Sequence, residues 1–346
     1  MLQASGPSAM SVIFDLAAEQ RGKVVHRAAL LAELLKPISE EHKHTNKKVK
    51  GISESDEASK LNITFSDGTV FQADAVIGAD GLRGYVRGHV LGNDHPAVLA
   101  KPAGFWDARS LVPIQKAKEL IGEEYFEVNR QYGWVGDGGF FMHDVLDDGK
   151  TVQFVLSGIM NDSETEGEKW EEEVWNKKLD RAKLERMVGR WAETPESLKK
   201  SIVEVMLQNP DLKAFAQQHH HVDAPTYANG HVAIMGDAAH CMTPWQGSGA
   251  GQAIEDAMIL ETLLEHTKAP SQLTAALKVY DQLRRPRTQR IVHSSAGTGL
   301  ILCGRGLDAG LDVDKIKIVL PGRWAFIYGH DQATHKKEAL NAFKAS

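Results

Sequence analysis

The sequence predicts an α/β protein that also contains a stretch of antiparallel sheet. Three observations predict it. Val232 to Met235 is a short apolar run that ends at Gly236-Asp237, the pattern of a buried strand with a carboxylate at its C-terminal end. Pro244, Gly247, Gly249 and Gly251 follow, and then Ala253, Ile254, Ala257, Met258, Leu260 and Leu264 recur at helical spacing. Between residues 97 and 223 the texture changes: Phe105, Trp106, Tyr125, Phe126, Tyr132, Trp134, Phe140, Phe141 and Phe154 concentrate among short alternating runs.

The totals fit a folded protein of two domains. The chain has 346 residues, 42% hydrophobic and 25% charged, with a formal net charge of -6. That acidic balance offers no basic footprint for nucleic acid or an anionic membrane. With two cysteines, Cys241 and Cys303, a disulfide framework is not expected and a reducing, cytoplasmic setting is. No apolar run reaches spanning length, and the first twenty residues lack the pattern of a signal peptide.

In chain order, Met10 to Leu16 is a weak strand candidate. Val24 to Ile38 reads as a strand end running into a helix, with Leu30, Leu31, Leu34 and Leu35 as its stripe and Pro37 as its stop. Glu40 to Lys60 is charge-rich and reads as an exposed turn. Leu61 to Phe65 alternates as a strand, Asp67-Gly68 signals a hairpin turn, and Thr69 to Phe71 returns. Val76-Ile77 is a buried strand leading into Gly78-Ala79-Asp80-Gly81, and Tyr85 to Val90 is a helical turn. Strands are predicted at Glu124 to Val128, Tyr132 to Val135, Phe140 to Met142 and Thr151 to Ile159, with turns at Gly138-Gly139 and Asp148-Gly149. Glu164 to Leu212, around Trp170, Leu184, Met187 and Trp191, is helical in pattern. Leu273 to Arg290 is a helix with Pro286 inside it or ending it. Its basic residues Arg284, Arg285, Arg287 and Arg290 read as a solvated or packing face. Gly297 to Gly310 reads as a glycine-rich connector.

The glycines after Asp237 let backbone N–H groups approach a ligand, and the helix start adds a positive dipole. Such a unit suits a polar cofactor that carries or develops negative charge. His219-His220-His221 invites a metal, but adjacent residues cannot all face one ion and no Cys or carboxylate stands at ligand spacing. No metal is expected.

GDAAHCMTPWQGSGAGQAIEDA (residues 236–257) resembles the second flavin-binding motif of the FAD-dependent aromatic hydroxylases, the family of para-hydroxybenzoate hydroxylase and salicylate hydroxylase. The resemblance implies that Asp237 bonds the ribityl chain of FAD. It also implies that Pro244 to Gly251 run past the flavin ring, Pro244 walling the place where ring and flavin meet. Gly236, Gly247, Gly249 and Ala250 belong to the same implied cofactor site. Val24 to Ile38 is similar to a family segment whose Arg, here Arg27, contacts FAD. GADG resembles the middle motif near the pyrophosphate, tied to NAD(P)H use; Gly78, Asp80, Gly81 and Arg87 are carried over from it. Gly84 stands where family members have a small polar residue. The runs YFE, RQYGWVGDG and FMHDVLDDG narrow the resemblance to the salicylate-hydroxylase-like members. Arg109, Arg130, Tyr132 and His143 are the candidates for orienting a substrate's carboxylate or phenol. His240 is expected to pack or bond locally.

The resemblance thus implies an FAD-binding Rossmann-like domain over residues 1–96 and 223–296, a substrate domain over 97–222 and an extension over 297–346. One part is not found. No glycine cluster has the G-x-G-x-x-G spacing, and only about 25 residues precede the Arg27 segment, where a βαβ unit takes roughly 30. The FAD domain is therefore expected to be incomplete. The expected function is hydroxylation of a small phenolic or salicylate-like substrate with FAD, NAD(P)H and O2. The alternative is an FAD-deficient, non-catalytic relative that keeps an aromatic pocket.

Overall fold

The computed structural model describes residues 1–3, 5–13, 15, 25, 27–57, 60–128, 130–160 and 174–346. These form two compact units: 1–42, 104–217 and 297–323 in the first, 43–103, 218–296 and 324–346 in the second. The stretch 297–346, read from sequence as one extension, is divided between them, and residues 1–42 belong to the first unit.

The first unit is built on a seven-stranded sheet. Its spatial order is Leu2–Gln3, Tyr132–Val135, Gly139–Leu146, Thr151–Ile159, Lys101–Pro113, Lys213–His219, Asn176–Lys178. The register across the four central strands aligns Tyr132 with His143, His143 with Phe154 and Phe154 with Ser110. Because side chains alternate along a strand, these four share one face. Trp134, Phe141, Leu156 and Ala108 form the next row of that face and are wholly buried. Helices Arg181–Gly189 and Glu196–Met206 bring Leu184, Met187, Ile202 and Met206 into the same core. Asp180 caps the first of them by accepting from the Lys183 amide at 2.9 Å.

The packing is close enough to exclude one methyl group. A Cβ on Gly136 would lie 2.1 Å from Trp191, whose side chain is fully buried. Gly136→Ala is expected to cost about 1–3 kcal/mol, read as a lowered midpoint in thermal unfolding. An unchanged midpoint would mean that the Trp191 ring shifts freely.

The second unit holds two small sheets. Val76–Gly78 runs parallel to Val232–Ile234, which pairs on its other side with Ala228–Asn229. Val49–Glu54, Leu61–Phe65 and Val70–Ala73 form an antiparallel meander. Helices Tyr85–Leu91, Gly249–His266 and Gln332–Lys344 and the first part of Leu273–Leu302 pack around the core of Tyr227, Ile234, Ile259 and Tyr280.

Several expectations need correction. Val49–Glu54 is a strand where an exposed turn is predicted; Ile52 is its buried residue and Lys50 and Glu54 are exposed. Glu123–Phe126 is a helical turn rather than a strand. Asn176–Lys178 is an edge strand within the stretch read as helical, while Trp170 lies outside the described residues. Met10 to Leu16 contributes only a single bridge, Val12 to Leu2, among its described residues. The helix from Leu273 continues through Pro286 to Leu302, taking up much of the expected connector. Proline there leaves the Gln282 carbonyl without its donor. Both residues lie on the exposed side, where water can supply the bond.

Candidate functional site

The strand Val232–Ile234 is buried on both faces, and Tyr280 donates its hydroxyl to the Ile234 carbonyl at 2.9 Å. Gly236 then takes φ 58 and ψ -140, a conformation open essentially to glycine alone. A Cβ there would meet the Ala253 methyl at 3.4 Å, so the turn sits against the first turn of the following helix. Asp237 comes next, exposed, and its carboxylate makes no hydrogen bond among the described residues.

The helix Gly249–His266 opens with amides that have no intrahelical acceptor. Ser248 stands at the cap but donates its hydroxyl back to the Gln246 carbonyl at 3.0 Å, and so does not close them. Pro244, Gly247, Ala250 and Gly251 are all exposed, and a Cβ on Gly247 or Gly251 would meet nothing within 4 Å. Gly249 is half-buried against Met242. An exposed acid, open glycines and a free helix N-terminus therefore occur together. An exposed carboxylate accepts from hydroxyls, and open amides accept an anionic edge. The residues present fit a flavin.

Beneath this surface lies a charge cluster that sequence reasoning did not assemble. Asp256 accepts from the Gly236 amide at 2.9 Å, lies 2.6 Å from His240 Nε2 and receives Arg284 Nε at 2.8 Å. Arg284 also reaches Glu255 at 2.6 Å and the Gln252 carbonyl and side-chain oxygen at 3.1 and 2.9 Å. Arg287 holds Glu255 with a two-pronged contact at 2.8 and 3.0 Å. Burial pushes the Asp256 carboxyl up, but His240, Arg284 and the Gly236 amide outweigh it, and the net shift is downward. Glu255 likewise falls to about 2, its burial offset by Arg287 and Arg284. The four arginines thus divide: Arg284 and Arg287 turn inward onto Glu255 and Asp256, Arg285 is partly exposed and pairs with Asp281, and Arg290 is exposed and stacks on Phe326 at 4.1 Å. The available signal was the complementarity of Glu255-Asp256 with the RRPR run.

The GADG segment plays a different part. Asp80 accepts from the Val86 amide at 3.1 Å, capping helix Tyr85–Leu91 from upstream. A Cβ on Gly84 would lie 2.0 Å from the Asp80 carboxyl carbon, so a side chain there would displace the Asp80 carboxylate from this position. Gly78 is closed by Val86 at 2.5 Å, whereas Gly81, at φ 80, is open. Arg87 is buried rather than presented to a ligand. It donates to the carbonyls of Ala97, Ala238 and Ala239 at 2.8, 2.9 and 2.6 Å and so fastens this helix to the Asp237 turn. Burial lowers its pKa to about 10. Burial also pushes the Cys241 thiol up to about 12, leaving it unreactive.

In the first unit, Arg27 opens the exposed helix Arg27–Leu35, and Val24 and His26 lie outside the described residues. The four substrate candidates divide between the two faces of the sheet. Arg109 lies in the row of Val155, Met142 and Gly133; its side chain is 57% exposed and donates to Asp107 at 3.1 Å. Tyr132 and His143 lie on the helix-covered face. Arg130 stacks over Tyr132 at 4.9 Å and pairs with Asp15 at 2.5 Å. His143 has no exposure and no hydrogen bond to either ring nitrogen; Phe126, Tyr132, Trp134 and Phe154 enclose it. That is a packing position. In the second unit, His220 accepts the Cys241 amide at 3.1 Å while the His219 and His221 rings lie 6.1 Å apart. No group of three metal-ligating side chains able to hold an ion occurs among the described residues.

A parallel strand pair, a glycine turn ending in an exposed acid, and an open helix N-terminus define an α/β protein built to hold a flavin-like cofactor. Comparison with known proteins agrees. Residues 157–295 match the family model described as an FAD binding domain. The 6-methylsalicylate 1-monooxygenase of Aspergillus terreus is 35% identical over 323 residues, covering 93% of this chain and 69% of that protein. An FAD-dependent monooxygenase of Phaeosphaeria nodorum is 31% identical over 325 residues, covering 93% of this chain and 64% of its own length. Among solved structures, a salicylate hydroxylase in complex with substrate superposes with a TM-score of 0.83 at 25% identity, over 98% of this chain and 80% of that one. The chain belongs to the FAD-dependent monooxygenases related to salicylate hydroxylase.

Proposed function

We propose that this chain hydroxylates a small phenolic acid of the salicylate class, using FAD, NAD(P)H and O2. The observation that carries the reading is the exposed, unbonded Asp237 carboxylate in the same motif as the open amides of Gly249–Gly251. The names of the relatives support the substrate class. Bound FAD would supply the electron transfer from NAD(P)H and the activation of O2. In this reading Asp237 accepts from ribityl hydroxyls, Gly236 and Gly247 to Ala250 let the backbone approach, and the helix start favours negative charge on the reduced ring. Pro244 is exposed beside this loop and is assigned to its wall. Gly81 contributes an open turn. Asp80, Gly78 and Arg87 serve by shaping the segment. Among the substrate candidates Arg109 has the accessible guanidinium, suited to a carboxylate. The domain assignment follows: FAD on the second unit, aromatic acid on the first.

Among the described residues no helix is long and apolar enough to cross a membrane. Both cysteines are free and buried, and we place the chain in a reducing compartment such as the cytoplasm. The test is a visible spectrum of the purified chain after incubation with FAD and desalting. A retained flavin band is expected, and Asp237→Ala should weaken FAD binding about tenfold or more, the loss of a hydrogen bond to a charged acceptor. Folded protein without a band would overturn the reading.

A further inference from the structure

We propose that Asp256 and Arg284 form a positioning pair that sets both halves of the flavin cradle. The inference rests on the reading of Asp237 and the glycine loop as that cradle. One carboxylate oxygen of Asp256 receives the Gly236 amide and His240. Through Gly236 it fixes the strained turn from which Asp237 projects. The other oxygen receives Arg284 Nε. The far end of that guanidinium holds the carbonyl and side chain of Gln252, whose own amide closes on the Ser248 carbonyl at 2.9 Å. Arg284 thereby fixes the first turn of the glycine-loop helix. Asp256 and Arg284 are both 0% exposed.

Stability alone does not call for such a pair, since well-packed apolar residues of similar volume often serve as well. Charged partners supply direction. The Gly236 backbone is held where its φ and ψ are unfavourable for other residues, and a site that must be held within about half an ångström needs such support. Neither residue touches the exposed surface. Both act through residues that do.

The experiment uses the full chain and two readouts. The first is FAD affinity, by quenching of flavin fluorescence, for wild type, Asp256→Asn, Asp237→Ala and the double variant. Asp256→Asn keeps an acceptor but loses the charge, and is expected to weaken binding about tenfold. Because part of its effect runs through Asp237 and part through the glycine-loop helix, the double variant should bind worse than Asp237→Ala by clearly less than the tenfold seen in the wild-type background. Effects that multiply in full would overturn the proposal, as would an Asp256→Asn affinity equal to wild type. The second readout is amide hydrogen exchange without FAD. Asp256→Asn should raise exchange in residues 235–240 and 248–252 and leave Thr151–Ile159 unchanged. A uniform rise, or none in those two segments, marks a merely structural role and overturns the proposal. Arg285→Lys, on the same helix but bonded to Asp281, should move neither readout. If Asp256→Asn does not fold, Arg284→Lys keeps the charge, loses the fork to Gln252 and carries the same measurements. A wild-type chain that takes up no FAD refutes the proposed function, and the exchange pattern still decides the pairing.

Discussion

Replacing Arg284 with methionine is expected to lower the free energy of unfolding by about 3–5 kcal/mol. The side chain is wholly buried and its methylene stem can be matched in volume, so packing is not the main loss. Glu255 keeps Arg287 after the change. The cost falls on Asp256, which is left buried with the Gly236 amide and His240 as its partners. Urea unfolding followed by circular dichroism would measure it, with the transition of the second unit moving. Combining Arg284→Met with Asp256→Asn removes both charges, and the double variant should lose less than the sum of the single losses. A loss below about 1 kcal/mol for Arg284→Met would mean that Asp256 is relieved by protonation or by water, and that the ionic pair is not what holds the turn.

The site was legible where chemistry is local. Val232 to Leu264 carries its strand, carboxylate, glycine loop and helix within one continuous stretch, and each part is dictated by its own residues. The hairpin at Asp67-Gly68 and the strand Thr151–Ile159 are local in the same way. What sequence reading missed depends on pairs distant in the chain. Asp256 and Arg284 are 28 positions apart, and nothing in a run of arginines says which one turns inward. Arg87 looks like a ligand-facing arginine until its three backbone acceptors come from Ala97, Ala238 and Ala239. His143 and Arg109 read alike from sequence as polar candidates of the substrate domain, but the register places them on opposite faces of one sheet. Pro286 argues for a helix end, and packing of the helix around it overrides that local preference.

His143→Phe should flatten the acid side of the stability curve. Burial among Phe126, Tyr132, Trp134 and Phe154 lowers the imidazole from its ordinary value of 6.5 to about 4. The unfolded chain binds a proton there near pH 6.5 and the folded chain refuses it. Its contribution is therefore intact above pH 6.5 and is lost as pH falls toward about 4, on the order of 3 kcal/mol across that window. His219, lowered to about 4, and His220, lowered to about 3, act in the same direction because burial disfavours their charged forms as well. The depressed carboxylates Glu255 and Asp256 act at lower pH, since their share is lost only below the ordinary carboxylate range. Phenylalanine removes the titration without orphaning a partner, because neither nitrogen of His143 is bonded. Denaturant unfolding at several pH values from 7 down to about 4.5 should show near-equal stability at neutral pH and a slope reduced by up to about 1.4 kcal/mol per pH unit in the variant. Parallel curves would mean that acid protonates His143 without unfolding the sheet, and that the aromatic cluster tolerates a charged ring.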